Sequence, residues 1–78
     1  MHGTAERVMW KAYEVRETDM YGYDTVKYGV REEYSDGATR AIHNERFANV
    51  EEAQMVASKF NVLARKGRSY DNTMKQWN

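Results

Sequence analysis

Residues 49–67 meet every local rule for one amphipathic helix, and that helix limits what the rest of the chain can build. Asn49 is a good N-cap residue, and Glu52 three positions later completes a capping-box pattern. Glu51 and Glu52 also suit the positive end of the helix dipole. Ala53, Val56, Ala57, Phe60, Leu63 and Ala64 recur at intervals of three and four, which places them on one stripe. Met55 and Val62 flank that stripe and are candidates to widen it. Arg65 and Lys66 fall in the last turn, and Gly67 follows as the residue that ends it. One stripe of this width covers one face of one small sheet.

The sheet comes from the residues before the helix. Val26, Tyr28 and Val30 alternate with Lys27, Gly29 and Arg31, so residues 24–34 read as a strand with one buried and one open face. Asp36-Gly37 then marks a hairpin turn. Residues 38–46 read as a third strand with Ile42 as its core residue, and Phe47 closes the core beneath the helix start. Residues 7–16 form the first strand, rich in Val8, Trp10, Tyr13 and Val15. Its alternation is imperfect: either Met9, Lys11, Tyr13 and Val15 or Val8, Trp10, Ala12 and Glu14 occupy the open face. Residues 17–23 connect the first two strands, with Gly22 free to take a positive φ. The expected fold is α+β: a three-stranded antiparallel β-meander with one amphipathic C-terminal helix packed on one face. Residues 6–67 form that single βββα domain. Residues 1–5 read as a disordered start or cloning remnant. Residues 68–78 read as a polar tail, with Tyr70, Met74 and Trp77 spaced either for a short docking helix or as frayed chain.

Seventy-eight residues make one small domain of modest stability. No cysteine is present, which removes disulfides and thiolate metal sites and favours a reducing, cytoplasmic home. No apolar run exceeds three residues, so a membrane partner is not expected. The net charge is zero, yet residues 59–75 hold Lys59, Arg65, Lys66, Arg68 and Lys75 against Asp71 alone. Aromatic residues are 13% of the chain and six of them are tyrosines, a residue type enriched at interfaces.

Signs of catalysis are lacking. His43 has no second ligand at metal spacing, and His2 lies in the excluded start. Glu32 and Glu33 are neighbours on a strand and point to opposite faces, whereas glycosidase-like chemistry needs two carboxylates across one cleft. The glycines are scattered, so no phosphate loop exists, and Ser35, Ser58 and Ser69 have no nucleophile-elbow context. A domain this small has little room for a substrate pocket. The expectation is therefore no enzyme, no cofactor, no metal and no small-molecule substrate.

Tyr28, Gly29, Val30, Asp36, Gly37, Phe60 and Asn61 resemble, in order and over about half the chain, a pattern in a group of small uncharacterised bacterial proteins. That resemblance carries over no activity. Gly29-Val30-Arg31 and the Phe47, Glu52, Ala53 spacing are also similar to the three-strand-plus-helix DNA-binding domains of plant ethylene-response factors and integrase arms. The resemblance implies groove entry by the open sheet face, with Lys27, Arg31 and Arg40 as contacts. Glu32, Glu33, Asp36 and Glu45 crowd the same region and depart from the basic sheet that groove entry requires.

The leading expectation is a binding module: a small accessory or inhibitor-type protein of a bacterium, phage or mobile element. It acts on a protein partner, or on a second copy as a homodimer, through Tyr13, Tyr21, Tyr23, Lys27 and Arg31. The alternative is a nucleic-acid-binding domain that uses Lys27, Arg31, Arg40, Arg65, Lys66 and Arg68.

Overall fold

A computed structural model describes residues 8–78. The expectations for residues 1–5 and for His2 lie outside the described residues. Strands β1 (Val8–Thr18), β2 (Asp24–Tyr34) and β3 (Thr39–Ile42) form one antiparallel sheet in the order β1-β2-β3. Helix α1 (Val50–Arg65) packs on one face of it, so the α+β class and the helix-on-sheet arrangement hold. The helix is not the last element. Strands β4 (Tyr70–Asp71) and β5 (Gln76–Trp77) form a second, two-stranded sheet, which corrects the expectation of a docking helix or frayed end. Asp71 Oδ1 accepts from the backbone N–H of Thr73 and Met74 and organises the turn between them, where Lys75 takes a φ of 56°.

The helix boundaries follow from their caps. Asn49 Oδ1 accepts from Glu52 N–H at 3.0 Å. At the other end Gly67, with φ 85°, lets Arg68 N–H reach Leu63 O and Gly67 N–H reach Ala64 O, a Schellman closure. Asn49→Ala is expected to cost about 1 kcal/mol and Asn49→Asp almost nothing, read from urea unfolding. Silence from both variants would move the helix start elsewhere. Met55 and Val62 do not widen the stripe: both are exposed, because the sheet beneath α1 is narrow.

The β1–β2 register is uninterrupted and pairs Trp10 with Glu32 and Ala12 with Val30. Trp10, Ala12, Val30 and Tyr28 therefore share the helix face, which settles the first strand in favour of Met9, Lys11, Tyr13 and Val15 on the open face. The core is Trp10, Val30, Ala41, Ala53, Ala57 and Tyr70. Trp10 stands at its centre, with ring centroids 5.0 Å from Phe60, 4.9 Å from Tyr70 and 5.7 Å from Trp77. The tail thus covers the helix-side aromatic cluster and leaves the open face bare.

β3 is shorter than expected, and its core residue is Ala41 rather than Ile42. Ala41 pairs with Glu32 toward the helix, while Ile42 pairs with Arg31 on the open face. A bulge between Glu32 and Glu33 makes Arg40 the extra residue. Beyond Ile42 the chain leaves the sheet and returns at Phe47, which exchanges both backbone hydrogen bonds with Tyr28.

The molecule measures 51 × 26 × 24 Å, and its long axis reflects the β1–β2 hairpin. Eleven residues per strand extend about 36 Å. Helix and β3 cover only the part near Trp10 and Val30, so the far part projects as a bare two-stranded arm. Val26 faces the helix side as expected, but it lies past the helix and is exposed.

Candidate protein-binding surface

The end of the arm is a tight turn built by one carboxylate. Asp19 Oδ1 accepts from the backbone N–H of both Tyr21 and Tyr23 at 2.9 Å. Asp19 N–H donates to Tyr23 O, and Gly22 N–H donates to Asp19 O with Gly22 at φ 82°. Thr18 Oγ1 closes the base on Asp24 at 2.7 Å. Four backbone N–H groups of the turn are bonded within it, yet the side chains it carries are bare: Met20 is 88% exposed, Tyr21 78% and Tyr23 70%. Asp19 escaped the sequence reading, although an Asp two residues before an aromatic-glycine turn is an Asx-turn signal.

The open sheet face carries Tyr13, Lys27 and Arg31 together. Tyr13 lies across Gly29, its partner in the register, and a Cβ at Gly29 would meet the ring at 2.8–3.0 Å. A glycine inside an otherwise regular strand is therefore the seat of a tyrosine ring. The guanidinium of Arg31 stands 4.4 Å above that ring and bonds Glu33 at 2.6 Å. Lys11 is 3.9 Å from the same Glu33, and Lys27 is 3.9 Å from Glu17. Met9 and Ile42 leave apolar surface exposed at the near end. The face is thus a platform of cations paired to carboxylates with a tyrosine at its middle.

The six residues of the nucleic-acid alternative do not share a surface. Arg40 donates to the buried carboxylate of Glu32 at 2.6 Å, which with the charge of Glu32 raises its pKa above the usual guanidinium value. The bulge has turned it from the open face onto Glu32. Arg65 borders a groove with Val8 and Met9 at the end of the molecule away from the tyrosine turn. Arg68 bonds the terminal carbonyl of Asn78. Only Lys27 and Arg31 lie on the open face.

The grooves flanking α1 are open. One, of about 450 Å³, is lined by Val8, Met9, Asn61, Ala64 and Arg65. The other, of about 320 Å³, runs along Trp10, Lys11, Ala12, Gln54, Ala57, Ser58 and Asn61. His43 is half-buried. It packs edge-on against Phe60 at 5.0 Å, with Nδ1 3.4 Å from the Tyr70 hydroxyl. Burial, and then the charge of Asp71, push the Tyr70 phenol above its ordinary pKa. Among the described residues, no three His, Asp or Glu side chains converge as a metal site, and no helix is long and apolar enough to cross a membrane.

No protein-family model, curated protein or solved structure matches the chain.

Proposed function

We propose that the chain is a non-enzymatic binding module that engages a protein partner through the tyrosine turn, with the open sheet face as a flanking platform. The observation that carries this reading is the contrast at Asp19: its carboxylate and backbone hold the N–H groups of Tyr21, Gly22 and Tyr23, while Met20, Tyr21 and Tyr23 project into solvent. Large exposed aromatics on a tied backbone lose little entropy on binding, because their presentation is already set. Tyrosine brings apolar area and a hydroxyl, which suits a partner pocket with an acceptor at its base. Tyr13, Lys27 and Arg31 lie behind the turn on one face, and the two cations supply positive charge for orientation. A neutral chain with its arginines paired or scattered does not favour nucleic acid as the ligand.

The test is capture from host extract with the wild-type chain and a Tyr21→Ser/Tyr23→Ser variant. A defined protein should be held by the wild type, lost by the variant, and little changed between about 0.05 and 0.5 M salt. The variant should unfold within about 0.5 kcal/mol of the wild type, since the side chains are exposed. Equal capture by both proteins, or a nucleic acid that washes off with salt, would remove the reading.

A further inference from the structure

We propose that the outer edge of β1 is a dimerisation edge, where a second copy pairs its own β1 antiparallel about Val15 to form one six-stranded sheet. This goes beyond the tyrosine turn and uses different groups. Trp10 sends its backbone N–H and C=O away from β2, to Asn61 on α1 at 2.8 and 3.1 Å. Outward and inward residues alternate along an antiparallel strand, so Ala12, Glu14, Arg16 and Thr18 also aim their backbone groups outward. No described residue bonds those groups. The opposite edge of the sheet is treated differently. At β3, Asn72 accepts from Ile42 N–H and Lys75 Nζ donates to Ile42 O.

A long, regular edge is ready to pair unless proline, a bulge or like charge blunts it. The chain has no proline, and the β1–β2 register has no bulge. The charges on the edge are opposite in sign, Glu14 and Arg16, and they sit two residues apart.

Two independent features choose the same register. Asn61 stops the free edge on one side, and the turn after Thr18 stops it on the other. The free segment is therefore 12–18, and its midpoint is Val15. Pairing about Val15 sets Glu14 of each copy opposite Arg16 of the other, Ala12 opposite Thr18, and Val15 opposite Val15. Sliding by two residues, the step that keeps the backbone bonds, sets Glu14 opposite Glu14 or Arg16 opposite Arg16, and like charges in that position repel. The bulk also fits. Each helix lies over the part of the strand near Trp10, which runs level with the bare arm of the other copy, so the two helices do not meet. The tyrosine turns point in opposite directions.

Sedimentation of the full chain should show a dimer. Arg16→Glu and Glu14→Arg, both at exposed positions, should each weaken it by about tenfold or more, because each sets like charges across both pairs. An equimolar mixture of the two variants should dimerise again, since every cross-strand pair is then opposite in sign. An ion pair within one chain cannot produce that rescue. Val15→Cys supplies a second measure in a chain without cysteine. Paired residues there stand about 4.5 Å apart between Cα atoms, within disulfide reach, so oxidation should cross-link the dimer, while Glu17→Cys should not. Tyr21→Ser/Tyr23→Ser should leave the dimer intact, which separates this edge from the turn. A wild type that stays monomeric to millimolar concentration, or single variants that dimerise like the wild type, would overturn the proposal. So would a mixture that fails to recombine.

Discussion

Trp10→Ala is expected to remove most of the stability of this domain. Trp10 is 2% exposed and joins β1 to three other parts of the chain: Phe60 on α1, Tyr70 on β4 and Trp77 on β5. Truncation to alanine leaves a cavity bounded by those rings, and large-to-small changes of this kind cost about 3–5 kcal/mol. A domain of this size has only about 5–10 kcal/mol in total. Urea unfolding followed by circular dichroism should show a midpoint near zero denaturant, or an unfolded chain at 37 °C. The β4–β5 hairpin should be lost with it, because a two-stranded sheet of this length does not stand alone. Trp10→Phe should be milder. The Trp10 indole N–H is buried without a hydrogen-bond partner, so its removal forfeits packing but no bond. A loss below about 1 kcal/mol for Trp10→Ala would mean that the aromatic cluster is not the centre of the fold.

Asn61→Ala is expected to have the next largest effect, about 2–3 kcal/mol. The Asn61 amide replaces a neighbouring strand at Trp10: Oδ1 accepts from the Trp10 N–H and Nδ2 donates to its C=O. Alanine leaves both backbone groups half-covered by the helix and unpaired, at a cost of about 1–3 kcal/mol for each group that water does not reach. Asn61→Asp should recover part of the loss, since a carboxylate still accepts from the N–H but cannot donate to the carbonyl. Hydrogen exchange at the Trp10 amide is the direct readout and should accelerate in both variants. An unchanged exchange rate with a loss below about 0.5 kcal/mol would show that water substitutes freely for the side chain.

Asn61 also shows where sequence reading stops. It sits among the polar residues of a helix whose stripe is defined by Phe60 and Ala57, and nothing within several residues marks it as a backbone partner. Its role exists only because residue 10 arrives beside it, 51 positions away in the chain. The seat of Tyr13 on Gly29 is half legible. A glycine breaking an alternating strand signals a close approach, but the ring that approaches is named only by the β1–β2 register. The tyrosine turn was legible as a loop, and its exposure became visible once the helix proved too short to cover the arm.

The sequence by itself determined what is decided within a few residues. The helix start at Asn49 and its end at Gly67 are set by hydrogen bonds spanning three to five positions. The strand from Asp24 to Tyr34 and the turn at Asp36-Gly37 likewise follow from alternation and local backbone preference. Tertiary structure decided whatever depends on which surfaces meet. It placed Trp10 rather than Tyr13 in the core, because α1 docks beside β1 where Asn61 meets the strand's outer edge. It buried Ala41 and exposed Ile42, because the bulge at Arg40 set the face of a four-residue edge strand. It folded residues 70–77 into a hairpin, because Tyr70 and Trp77 complete an aromatic cluster whose other members lie far away in the chain. Local signals are additive along the sequence, but a burial choice compares whole faces, and either face of the first strand held enough apolar residues to fill the core.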